Sequence, residues 1–238
     1  GWRTGLVQAR ERGIKVEKRA RVSESIRLGT LLTFVGGFLD AYSYLTRGGV
    51  FANAETGNIV LMGIHLAQGQ WRQAIFYLFP IACFALGIFA AEWFKKHVGE
   101  KKMLHWKESV LFLEIFVLFI AGFLPQQFNS LVNSSIAFVC ALQVEAFRKM
   151  HGMAFATTMC TGNLRSGTEL LTVGAFEHDS DKKKKGLWYY WIDVAFVIGG
   201  AAGTICCRMF AERSVWVGAV LLVGAVCFIQ WQKRKQEV

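Results

Sequence analysis

Hydrophobic residues along this chain fall in long unbroken blocks, not in one-sided stripes. Six blocks, about 28–46, 75–95, 107–125, 131–148, 187–208 and 214–232, are each close to the roughly 20 residues that a helix needs to cross a bilayer core of about 30 Å. The pattern predicts six membrane-spanning helices. Two further stretches, about 56–68 (TGNIVLMGIHLAQ) and 161–174 (TGNLRSGTELLTVG), are helical in pattern but too short or too polar to span. Both begin with Thr-Gly-Asn.

That shared start points to an internal repeat. Setting Thr56-Gly57-Asn58 on Thr161-Gly162-Asn163 gives an offset of 105 residues, at which Asp40-Ala41 falls on Glu145-Ala146 and Ser109-Val110 on Ser214-Val215. At an offset of 104, Gly48 meets Gly152 and Phe51-Ala52 meets Phe155-Ala156. The chain therefore reads as two halves, about 28–125 and 131–232. Each has an acid-bearing first span, a glycine-containing loop, a short helix and two plain spans.

Charge decides how the halves lie. If all eight segments crossed, Lys and Arg would divide 16 to 10 between the two sides. If both short segments enter and leave on one side, 22 fall inside and only Arg47, Arg72, Arg208 and Arg213 outside, with Arg165 inside the second short segment. The second arrangement obeys the positive-inside rule far better. It puts three spans in each half, so the halves are inverted, a recurring design of secondary transporters. The expected fold is all-α: a polytopic membrane bundle of six transmembrane spans plus two re-entrant half-helices in two inverted repeats, with both termini cytoplasmic. The domain plan is a basic segment, 1–27, a single membrane domain, 28–232, and a short tail, 233–238.

Composition agrees. Hydrophobic residues make up 53% and charged residues 18%, against about a quarter charged in soluble domains. The net charge of +10 would suggest nucleic acid in a soluble protein, but residues 1–27 carry eight Lys/Arg and three Glu, and most of the remaining basic residues sit in loops beside apolar blocks. Nucleic acid is excluded as a partner, and the bilayer is expected in its place. Residues 1–27 read either as a basic helix on the anionic inner leaflet or as a plain tail. The six cysteines have no CxxC spacing, and no Cys/His cluster has metal-ligand spacing. No P-loop, HExxH or nucleophile elbow occurs, so neither an enzyme nor a cofactor is expected. Small-residue faces at Gly87 and Ala91 and at Gly199–Gly203 could serve the internal bundle or a homodimer.

The segment GGFLDAYSYLTRGGVFANAETGNIVLMG, 36–63, resembles the YoaK-like family of small bacterial inner-membrane proteins. Its Asp-Ala pair, its Phe-Ala pair and the first Thr-Gly-Asn carry the resemblance, which covers essentially 28–232. Glu55 departs from the glutamine expected in relatives. The resemblance implies a six-span protein of the bacterial cytoplasmic membrane, and it carries no assigned substrate.

Candidate chemistry lies at the matched positions. Thr56, Gly57 and Asn58, with Thr161, Gly162 and Asn163, open two half-helices. Thr is a good cap, and the first amides of a helix attract acceptors or anions. The alternative is that these residues only turn the chain. Asp40 and Glu145 lie within spans, where a charge costs about 2.5–3.5 kcal/mol or more on insertion scales. They could carry a coupled proton, or they could cap the half-helices. Arg165 could hold an anionic group, pair with Glu145 or snorkel. The expected function is a secondary transporter or permease for a small polar or anionic solute, with proton coupling through Asp40 and Glu145. The alternative is a non-transporting scaffold, sensor or assembly protein of the same fold.

Overall fold

The computed structural model describes residues 25–97, 100–150, 153–154 and 160–235. The basic segment up to residue 24, and the matches at Gly152 and Phe155-Ala156, lie outside the described residues. The described chain is almost entirely helical: α1 Ile26–Thr46, α2 Glu55–Ala67, α3 Trp71–His97, α4 Glu100–Ala121, α5 Asn129–Ala146, α6 Cys160–Phe176, α7 Ser180–Phe210 and α8 Val215–Lys235. Tight helical turns at Gln126–Phe128 and Ala211–Ser214 lead into α5 and α8. A two-residue antiparallel ladder joins Lys149–Met150 to Met153–Ala154.

Helix boundaries have local causes. The Ser25 hydroxyl accepts from the Leu28 amide at 3.3 Å and starts α1. Gly48 and Gly49, at φ 89° and 76°, turn the chain after α1 through a region that side chains resist. The Asp179 carboxylate accepts from the amides of Asp181 and Lys182 and caps α7. At 13 residues, α2 is about 20 Å long at 1.5 Å per residue, too short to span.

Burial sorts the helices by role. In α1, Leu28, Leu32, Val35, Phe38, Leu39 and Tyr42 are fully enclosed, and α5 is enclosed in the same way from Val132 to Ala146. These two helices form the centre. The outer helices carry apolar side chains that nothing among the described residues packs over: on α3, Leu86 and Phe89 are 57% and 68% exposed. An aqueous protein rarely leaves so wide an apolar surface bare. Among the described residues, Trp71–His97 and the stretch Ser180–Lys235, which holds α7 and α8, are long and apolar enough to cross a membrane.

α1 packs along α7, and α5 along α3. α2 leans on α3, and α6 on α7. α4 packs against α8 and α5, and α8 also meets α1. Glycines set the two closest crossings. A Cβ at Gly199 would stand 2.0 Å from the Phe34 carbonyl oxygen, and one at Gly37 2.1 Å from that of Phe196. A Cβ at Gly87 would stand 2.5 Å from the Phe138 oxygen. The small-residue faces of α3 and α7 are thus filled from within the bundle.

Candidate functional site

The loop between α1 and α2 is folded onto α1 by side chains. Asp40 Oδ1 accepts from the Asn53 amide at 2.7 Å and the Ala54 amide at 3.3 Å, and the Asn53 side-chain amide donates to the Gly36 carbonyl at 3.2 Å. Asn58 closes a two-bond clamp on Phe51. Its Oδ1 accepts from the Phe51 amide at 2.9 Å and its Nδ2 donates to the Phe51 carbonyl at 2.7 Å. The same Nδ2 donates to Glu55 Oε2 at 2.9 Å. The Phe51 ring lies over Gly57, where a Cβ would come within 2.7 Å of it, and stacks on Tyr44 at 4.8 Å. Irregular backbone survives inside a bilayer only when protein satisfies its polar groups. Asp40 and Asn58 supply such partners to this loop.

The amino ends of α2 and α6 open on one cavity of about 380 Å³. Asn53, Ala54, Glu55 and Thr56 line it from the first half, and Cys160, Thr161 and Gly162 from the second. Phe84 of α3 and Phe196 of α7 complete the wall, each three residues before the glycine that touches the facing helix. The walls are therefore matched pairs, Thr56 with Thr161 and Phe84 with Phe196. The polar content is not matched, since Glu55 faces Cys160. Among the described residues, no Lys or Arg lines the cavity. Three enclosed oxygens around it, Asp40 Oδ2, Asn53 Oδ1 and Glu55 Oε1, have no hydrogen-bond partner among the described residues.

Some expected site residues meet here and others do not. Thr56, Thr161 and Gly162 line the cavity, and Asp40 stands behind its first-half wall. Gly57 packs on Phe51, and Asn58 serves the loop. Asn163 is buried and donates to Asp193 Oδ1 on α7 at 3.2 Å. Thr56 is not the cap: α2 begins one residue earlier, and Ala54 precedes it without a side-chain cap bond. Glu145 is elsewhere, paired with Lys95 of α3 and, at 3.6 Å, with Arg148. The reason is helix length. Six helical residues follow Asp40 in α1, but only Ala146 follows Glu145 in α5, which puts that acid at a helix end beside basic residues. Arg165 is exposed one turn along α6 and does not reach Glu145.

Two important residues escaped the pattern. Arg47, counted in the sequence as a loop charge, is fully buried. It donates to the carbonyls of Ala121 at 2.7 Å and Leu124 at 2.8 Å, to Asn129 Oδ1 at 3.3 Å and to the Tyr42 hydroxyl at 2.7 Å. It thereby caps the carboxyl end of α4, where the helix dipole favours a cation. Its signal was its place between a span and a Gly-Gly turn. Glu55 sits immediately before Thr56, and an acid in the first turn of a half-helix is itself a cue. A further buried acid, Glu114 on α4, accepts from Gln143 at 2.8 Å and lies 3.9 Å from the Cys140 thiol, joining α4 to α5.

An all-helical bundle with bare apolar flanks and a polar interior loop defines a polytopic membrane protein. Residues 28–228 match the family described as a protein of unknown function, DUF1275, and the chain belongs to that family. It is similar to the UPF0700 transmembrane protein YoaK of Bacillus subtilis (strain 168), at 27% identity over 207 residues, 82% of this chain and 89% of that protein. No solved structure matches.

Proposed function

We propose that this membrane protein is a secondary transporter for a small polar solute, which binds between the amino ends of α2 and α6. The observation that carries the reading is the shared cavity with paired walls. Exchanging the two halves also carries the helix pairings into themselves: α1 on α7 becomes α5 on α3, α2 on α3 becomes α6 on α7, and α4 on α8 is unchanged. Such exchange is what a pseudo-two-fold repeat gives, and in the inverted kind, which the charge pattern supports, one half rocks against the other around a fixed site. With Glu55 in the wall and no basic side chain beside it, the cavity favours a neutral or cationic solute over an anionic one.

Six spans and two half-helices follow from the same reading. Lys95 meets Glu145, and Lys233 meets Glu108, at one end of the bundle. Arg47 meets Leu124 and Asn129, and Gln126 meets Glu212 at 2.7 Å, at the other. The rich basic loops thus share an end, the cytoplasmic one by the positive-inside rule, in the bacterial inner membrane. Asp40 is the proton carrier in this reading.

Proteoliposomes with a trapped pH dye test it. A panel of sugars, polyols, amino acids and amines should include one that evokes a saturable proton flux, weakened by Thr56→Val and Thr161→Val. Asp40→Asn should retain exchange of that solute, at a raised half-saturation where the solute is an amine, but fail to concentrate it. Absence of solute-evoked flux or exchange across the panel counts against transport. Single cysteines at 96 and 183 should label from one side and at 128 from the other; labelling of 96 and 128 from the same side ends the inverted-repeat reading.

A further inference from the structure

Polar atoms enclosed by protein rarely go without partners, because each orphan forfeits a hydration it cannot replace. Three such atoms stand together here, and all three are acceptors. Asp40 and Asn53 are 5% and 4% exposed, and among the described residues Asp40 Oδ2 and Asn53 Oδ1 have no donor. Glu55 Oε1 is the third. Four donors of the loop and of α2 are already engaged: the Asn53 and Ala54 amides on Asp40 Oδ1, the Asn53 amide group on Gly36, and the Asn58 amide group on Phe51 and Glu55 Oε2. Glu55 follows Ala54, whose amide Asp40 holds, so the two carboxyl groups stand on either side of one short stretch of backbone.

Acceptors without donors, two of them from carboxyl groups, are satisfied by a compact positive charge. We propose that Asp40, Asn53 and Glu55 form an oxygen-only site for a small monovalent cation, either a sodium ion or the primary ammonium head of a solute. The proposal rests on reading the cavity as a membrane-embedded site but does not require transport. Magnesium fits poorly, since it keeps several waters and near-octahedral geometry, and calcium takes six to eight oxygens. Among the described residues, no group of three or more His, Cys, Asp or Glu could hold a metal ion. The site is single. The second half presents Cys160 where the first presents Glu55, and its Asn163 is bonded to Asp193. A symmetric frame thus holds one acidic flank, which gives the cavity a polarity that a solute with an amine at one end would match.

The test uses the purified full chain in detergent, with N-methyl-D-glucamine chloride holding ionic strength constant. Sodium chloride, methylammonium chloride and potassium chloride are titrated in separately, and the melting temperature is followed. The expected result is a saturable rise with sodium or with methylammonium, and at least tenfold weaker half-saturation in Asp40→Asn and in Glu55→Gln. Glu212→Gln, at the far end of the bundle, should respond as the native chain does. A sodium response identifies an inorganic ion, and a response to methylammonium alone identifies an ammonium head. No saturable response to either, or an undiminished response in both variants, overturns the proposal. If a variant fails to fold, equilibrium binding of radioactive sodium and of labelled methylamine to the native chain decides, with absence of both overturning it. Cation binding without any solute flux would sink the transporter reading and leave this site standing. Solute flux unaffected by either cation, with no binding, would do the reverse.

Discussion

Gly199→Ala should loosen the bundle at its closest crossing. The new Cβ would lie 2.0 Å from the Phe34 carbonyl oxygen, 2.8 Å from its carbon and 3.0 Å from its Cα. These are backbone atoms of α1, which cannot swing aside as a side-chain tip can. To reach ordinary contact, α1 and α7 must part by about 1 Å or more. Overpacking of this kind costs about 1–3 kcal/mol, and a rigid backbone obstacle belongs at the upper end. Alanine returns about 1 kcal/mol of helix propensity, leaving a net loss of about 2 kcal/mol. For a chain of this size that lowers the melting temperature by about 4–8 °C. Gly224→Ala on α8 is the control, because nothing lies within 4 Å of a Cβ there; it should melt at or above the native temperature. Gly37→Ala, whose Cβ would stand 2.1 Å from the Phe196 oxygen, should cost a similar amount. The double variant should cost less than the sum, since one separation of the helices relieves both clashes. Thermal melts in one detergent, read by tryptophan fluorescence, measure all four. If Gly199→Ala melts with Gly224→Ala, the α1–α7 crossing is not as close as described and the geometry around Asp40 falls with it.

Arg47→Gln should abolish most folded protein, because bonds from a charged donor to the Ala121 and Leu124 carbonyls are worth about 1.5–3 kcal/mol each. Arg47→Lys should rescue little, since an ammonium lacks the planar fork that reaches several acceptors at once; monodisperse yield on gel filtration checks both. Asp40→Ala should lose about 0.5–2 kcal/mol through two uncapped loop amides, whereas Asp40→Asn keeps an acceptor for them and should melt within about 1 kcal/mol of native in cation-free buffer. The amide bonds from Lys182 and Asp181 hold the Asp179 carboxyl below the usual aspartate range. Its contribution is therefore fully present above the unfolded value of about 3.9 and is lost as pH falls through the folded value. Hydrogen exchange of amides 181–184, corrected for intrinsic rate, should show the first turn of α7 opening below about pH 4, and Asp179→Ala should be open at every pH.

Much of the architecture was legible in the chain alone. Insertion into an apolar solvent depends on composition summed over about twenty residues, so the six apolar blocks and the two shorter helical segments predicted from the pattern all fall on helices, although α4 and α7 begin seven residues before the blocks at 107 and 187. The half-helix starts were readable because a repeated Thr-Gly-Asn is a local feature. Side-chain destination was not readable, because it depends on where each helix stops and how it is rotated. One sequence offset relates Asp40 to Glu145, yet α5 ends one residue after its acid, and Lys95 from another helix is there to pair with it. Asn58 and Asn163 looked alike as site residues, but a Phe51 backbone folded under one and an Asp193 on α7 beside the other engaged them first. Arg47 read as a solvated loop charge until the carboxyl end of α4 closed over it. Hydrophobic blocks and repeats belong to the chain. Which polar groups are left without partners, and so what the cavity can hold, belongs to the tertiary structure, because a hydrogen bond is settled by the position of both of its ends.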